Sequence, residues 1–242
     1  MSEPEQLRPD AGGAPGPGET ALILAAERLF AERGVEGVSL RQVNQAANQK
    51  NNAAAHYHFG SRDGLVTAVL MYRIPDLDRR RGALLQRQSS DKGLRFYLEA
   101  FIKPLADELR PREEGNHYIR FMQQYERYIG DYEFARTISP FGVEIYNGLE
   151  QLLYYLPEEV RRFRIRHQIN IIHSILASAE DRLSRGELSH ADIDLTVVNL
   201  TDMLEAALTA PLSAETIARL RGWAHRPQAD SSEQSAPLDA TK

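Results

Sequence analysis

The stretch from Ser39 to Arg62 constrains the fold of this chain more than any other. Ser39 is placed to cap a helix whose apolar marks, Leu40, Val43, Ala46 and Ala47, recur three and four residues apart. That pattern lasts about two turns. Asn48 follows, one of the few non-glycine residues that tolerate a left-handed backbone, and Asn51 can cap a second short helix running through Ala55 to about Tyr57. Two short helices joined at an angle by a tight turn form a helix-turn-helix, a shape that reads DNA. The first turn of the second helix carries Asn52, Ala53 and Ala54. Small and amide side chains let a helix axis approach base edges, where an amide pairs with adenine and an alanine methyl meets the thymine methyl. On spacing alone, the same pattern also suits a surface helical hairpin whose alanines supply only helix propensity.

The surrounding residues narrow the choice. An apolar-periodic helix ends Phe30-Ala31-Glu32-Arg33-Gly34, Val38-Ser39-Leu40-Arg41-Gln42-Val43 follows, and the run Tyr57-His58-Phe59-Gly60-Ser61-Arg62 leads into Asp63-Gly64-Leu65. Over residues 20–70 this resembles the N-terminal domain of TetR-family transcriptional regulators. Two positions depart from the family pattern: Asn48 stands where glycine is usual, and Lys50 where many members have valine. The first is sterically tolerable, and the second suggests a solvent-facing or phosphate-facing site. The resemblance implies an all-α protein, with a three-helix reading head and a larger C-terminal helical domain for effector binding and dimerisation. Base contacts are expected from Asn52, Ala53 and His56, and phosphate or backbone contacts from Arg41, Lys50, Asn51, Tyr57 and His58.

Composition sets outer limits. The 242 residues hold one sizeable core or two small ones, and 42% hydrophobic residues suit a soluble globular protein. No stretch approaches membrane-spanning length and the N-terminus lacks an apolar targeting core, so cytoplasmic residence is expected. The absence of cysteine excludes disulfides and thiol chemistry. The net charge of -5 argues against coating nucleic acid by bulk attraction. Around the reading head Arg28, Arg33, Arg41, Lys50 and Arg62 only slightly outnumber Glu27, Glu32, Glu36 and Asp63.

Along the chain, residues 1–18 read as a disordered leader, 19–65 as the helix-turn-helix domain, 66–225 as the helical ligand-binding and dimerisation domain, and 226–242 as a disordered tail. The head's core is expected from Leu24, Phe30, Val38, Leu40, Val43 and Phe59. Pro75 predicts a kink or break in the helix that follows Ser61, and Pro104 a disturbance in the next. The triplet Arg79-Arg80-Arg81 reads as a solvated helix face. Pro140 and Pro157-Glu158-Glu159 open two further helices, and another spans Ala191 to Ala210. No segment requires a strand.

A dimer is expected because one small head contacts a single half-site, whereas a two-fold dimer reads a palindrome with half-sites about 34 Å apart or multiples of that. By the resemblance, the last two long helices pair with their counterparts, with Ile172, Ile175, Val198 and Leu204 nearest the partner. The alternative is that these faces complete the monomer core. Aromatic residues crowd residues 96–155, and several tyrosines on apolar faces suit a cavity with a few polar points as well as they suit side chains reaching the surface. With the resemblance, a small-molecule effector of aromatic or hydrophobic character is expected at Phe101, Phe121, Met122, Tyr125, Tyr146 and His173. No catalytic arrangement, cofactor motif or metal-ligand spacing is recognisable, and His56 and His58, two apart on a helix, point in different directions. The expected activity is therefore non-enzymatic: a homodimeric repressor on a palindromic operator, released by its effector. The competing accounts are an activator of the same type, or an all-helical ligand-binding or scaffolding protein that never reads DNA.

Overall fold

The computed structural model describes residues 15–51, 53–87, 92–110, 116–129 and 137–223, the side chains of 126–129 and 222–223 excepted. The described helices are α1 (Pro17–Arg33), α2 (Leu40–Ala46), α3 (Ala54–Phe59), α4 (Arg62–Leu85), α5 (Leu94–Asp107), α6 (Tyr118–Ile129), α7 (Pro140–Leu152), α8 (Glu158–Ser184), α9 (His190–Thr209) and α10 (Ala214–Trp223). No strand occurs among the described residues, and no helix among them is long and apolar enough to cross a membrane. The chain divides into two compact units between Leu208 and Thr209, with α1 to α8 and all but the last residue of α9 in the first and α10 in the second. The leader expected over 1–18 and the tail over 226–242 lie mostly or wholly outside the described residues, and α1 already begins at Pro17.

In the first unit α1 packs across α4 and α6, while α4 also meets α5 and α7, and α6 lies against α8. Leu22, Ile23, Ala26, Leu29 and Phe30 form the buried stripe of α1. Leu24 falls outside that stripe and is half-buried, as are Leu40 and Phe59; of the expected head core, Phe30, Val38 and Val43 are buried. Beneath α1 lies an aromatic cluster. Phe121 of α6 is fully buried, with ring centroids 6.0 Å from Phe30, 6.3 Å from Tyr118 and 5.9 Å from Tyr125. Burial raises the Tyr125 phenol to about 12.

Neither proline breaks its helix, so of the kink or break expected at Pro75 the break does not occur. Helix α4 runs unbroken through Pro75, and α5 through Pro104. Proline removes one N–H from the helical ladder, which is a bounded loss. Burial of Leu70, Ile74 and Leu77 on α4, and of Leu98, Ile102 and Leu105 on α5, holds each helix together across it. The expected domain boundary at 65–66 therefore falls inside one continuous helix.

Phe121 joins α1 to α6 through shape and area. Its replacement by Ala is expected to cost about 3–5 kcal/mol, read as a lowered urea midpoint with an unchanged slope.

Candidate nucleic-acid interface and interior cavity

Each end of the helix-turn-helix is fixed by a hydrogen bond the sequence supplies locally. Ser39 Oγ accepts from the Gln42 N–H at 3.3 Å while Gln42 Oε1 accepts from the Ser39 N–H at 2.8 Å, a reciprocal cap on α2. The chain then turns through Asn48, whose φ of 51° is left-handed. Asn51 does not cap α3 as expected, since the N-cap is Ala53; instead its Oδ1 accepts from the Ala53 N–H at 2.9 Å and shapes the turn. The orphan N–H of α3 goes to α2: buried Asn44 accepts from the Ala55 N–H through Oδ1 at 2.8 Å. This clamp fixes the angle between the two helices. It has a signature in the sequence, an amide in register with Leu40, Val43 and Ala47 on the inward stripe of α2.

With Ala54 and Ala55 buried against the head, the other side of α3 faces outward. Ala53, His56, Tyr57 and His58 are exposed, Tyr57 by 84%, as are Lys50 and Asn51 in the turn and Arg41 on α2. Asn52 lies outside the described residues. The described sequence-derived residues are thus all exposed, Lys50, Asn51 and Ala53 in the turn, His56, Tyr57 and His58 on α3, and Arg41 at the start of α2.

The cavity lies in the larger part of the same unit, with a volume of about 710 Å³. Phe101 of α5, Met122 of α6, Tyr146 of α7 and His173 of α8 line it, as do Ile74, Leu105, Tyr118, Val143 and Ile169. Phe121 and Tyr125 do not, because α6 turns them toward α1. Of the four residues placed at a dimer contact, Ile172 and Leu204 are buried within the chain, Ile175 is half-buried, and Val198 is exposed by 54%. Among the described residues no group of three or more His, Asp or Glu side chains is placed to hold a metal ion.

Sequence reading missed the charged groups inside. The three adjacent arginines do not share a solvated face. Arg79 is exposed beside Asp76, Arg80 is half-buried against Glu108, and Arg81 is buried and lines the cavity. Nearby, Asp78 accepts from Ser139 Oγ at 2.5 Å and from the Phe141 and Gly142 N–H groups at 3.3 and 3.1 Å, so it caps the start of α7 from α4. A second buried group ties the head down. Arg73 donates to Glu27 through Nε at 2.6 Å and Nη2 at 2.9 Å, and the His117 N–H donates to the same carboxylate at 2.9 Å. Burial works against the Arg73 charge, but Glu27 outweighs it and its pKa is raised.

The junction of α3 with α4 leaves no room for a side chain at Gly64, where a Cβ would stand 2.1 Å from the Phe59 carbonyl oxygen. Gly64→Ala is expected to push α3 off its seat, lowering the melting temperature and weakening DNA binding in a gel-shift titration by tenfold or more, on the order of 1.4 kcal/mol. An unchanged titration would show that this junction does not set the position of α3.

Residues 22–69 match the family described as bacterial regulatory proteins, tetR family. The fatty acid degradation regulator FadR from Bacillus halodurans has a similar structure, with a TM-score of 0.53 and 15% identity over 81% of this chain and 99% of that one. The probable transcriptional regulatory protein RHA5900 is comparable, with a TM-score of 0.50 and 18% identity over 79% of this chain and 99% of that one. At these identities the likeness shows the fold. Among curated proteins there is no match to this chain. Proteins of the matched family are DNA-binding regulators rather than enzymes. Residues 22–69 thus carry the helix-turn-helix of the tetR family of bacterial regulatory proteins, set in an all-helical fold that the FadR structure shares.

Proposed function

We propose that the chain is a homodimeric repressor whose two copies of α3 enter successive major grooves of a palindromic operator and leave it when a small-molecule effector fills the cavity. The observation that carries this reading is the exposed face of His56, Tyr57 and His58 on a helix pinned by the buried Asn44 clamp, with Lys50, Asn51 and Ala53 exposed in the turn before it. In that pose Asn52, Ala53 and His56 meet base edges, while Arg41, Lys50, Asn51, Tyr57 and His58 meet the backbone.

The dimer surface is the outer edge of α8 and α9. Phe163 and Ile171 on α8, with Leu195, Val198 and Met203 on α9, are large apolar side chains left exposed by the fold. Ile172 and Leu204 belong to the inner edge of the same helices and support that surface from beneath. Pairing two heads also makes up for the weak local charge, since each contributes few phosphate contacts.

Effector and operator are linked through α6. Tyr118 lines the cavity, and the preceding residue, His117, hydrogen-bonds through its backbone to Glu27 of α1. Moving the start of α6 therefore pulls on a helix of the reading head. An effector that prefers the moved arrangement lowers operator affinity by the difference in its affinity for the two states.

Selection of genomic fragments by the purified protein, repeated at raised salt, is expected to return an inverted repeat whose half-sites lie a whole number of turns apart. Recovery of unrelated fragments only would refute the operator reading. Val198→Glu is expected to turn a dimer into a monomer by light scattering and weaken operator binding by tenfold or more, on the order of 1.4 kcal/mol; a dimer of unchanged mass would place the interface elsewhere.

A further inference from the structure

Arg81 differs from the other inward-facing arginines of this chain. Arg73 meets Glu27, Arg80 meets Glu108 and Asp76, and Arg120 meets Glu180. Arg81 is buried on the wall of the cavity, yet among the described residues no carboxylate forms an ion pair with it. Its polar partner is Ser139 Oγ, which accepts from Nη1 at 3.1 Å, and its guanidinium carbon lies 4.5 Å from the centroid of the Phe101 ring. Its Nε is buried without a hydrogen-bond partner. Asp78, one turn earlier on α4, is already engaged by Ser139 and two backbone N–H groups of α7.

A guanidinium keeps its proton in a protein, so burial cannot be relieved by neutralisation. A fork of N–H donors held at an apolar wall is matched by a planar anion, which binds it with two parallel hydrogen bonds. The rest of the lining agrees in sign. Exposed Arg166 also lines the cavity, while Arg162 and Glu150, which line it too, are each paired elsewhere, Arg162 with Glu158 at 2.7 Å and Glu150 with Arg161 at 2.6 Å. Opposite these charges Ile74, Phe101, Leu105 and Val143 supply an apolar surface, and about 710 Å³ is room for a compact organic molecule.

We infer that the cavity takes an amphipathic organic acid, its carboxylate seated on Arg81 and its apolar body against Ile74, Phe101, Leu105 and Val143. This rests on the cavity being the effector site and specifies the effector's chemical class. It also sharpens the expectation of a hydrophobic effector, because the apolar body alone leaves the buried Nε of Arg81 without a hydrogen-bond partner.

The test uses two matched series on the full-length protein: 4-phenylbutyrate with its primary alcohol and primary amine, and decanoate with decanol and decylamine, below micellar concentrations. Calorimetric titration of the wild type is expected to show acids binding about tenfold or more tightly than the alcohols, and no binding of the amines. In Arg81→Gln the preference of acid over alcohol should fall to within about twofold. Equal binding of acid and alcohol, preference for the amine, no binding of either acid, or a preference that survives in Arg81→Gln overturns the inference. If Arg81→Gln does not fold, a crystal structure of the wild-type complex decides. A carboxylate within hydrogen-bond distance of Arg81 supports the assignment, and one bound elsewhere overturns it. Operator release is measured alongside. An acid that binds through Arg81 and leaves the operator complex intact removes the effector reading alone, whereas intact operator recognition with no acid binding removes this inference alone.

Discussion

The buried pair of Glu27 and Arg73 is the contact through which the reading head is joined to the rest of the fold. One carboxylate gathers two guanidinium donors from α4 and a backbone donor at the entrance of α6. A pair removed from water contributes little net stability when intact, but leaving one member alone costs roughly 3–5 kcal/mol. Its structural effect is on uniqueness more than on strength: a slipped packing of α1 on α4 and α6 strands a charge. The aromatic cluster of Phe30, Phe121, Tyr118 and Tyr125 then supplies the area that drives α1 onto this fixed point.

Within the head, precision is also carried by polar groups placed among apolar ones. Helix α3 is short, and its own caps cannot hold it in register. The Asn44 amide reaches across from α2 and takes an N–H of α3, while Arg62 Nε donates to the Val38 carbonyl at 3.0 Å from the start of α4. The side of α3 that meets solvent is therefore defined from behind. The outward side chains of α3 take no part in either of these bonds.

Much of this was legible in the chain. The helical periods, the Ser39 cap, the left-handed Asn48 and the helix stop at Gly34 all follow from local chemistry, and the structure reproduces them. Local chemistry does not say which of two apolar edges faces inward. On α8 and α9 both edges are apolar, so Ile172 and Leu204, taken for partner contacts, lie inside while Phe163 and Leu195 lie outside. Phe121 and Tyr125 were placed at the cavity by composition, and only the packing of α1 on α6 shows that they serve another contact. Arg81 was legible in principle. It continues the stripe of Leu70, Ile74, Leu77 and Leu85, but a cluster of three arginines invites a solvated reading that conceals its register.

The continuity of α4 through Pro75 has a mechanical consequence. From Arg62 beside the reading head to Arg81 at the cavity the helix spans about 28 Å, at about 1.5 Å per residue. An unbroken rod of that length converts rotation into travel. A tilt of roughly 5° about the cavity end sweeps the other end through about 2.5 Å, as follows from the rod's length. In the dimer proposed above the two sweeps add or cancel according to their direction, so a small rotation would be enough to take two heads out of step with a rigid double helix. A hinge at Pro75 would absorb that rotation before it reached α3.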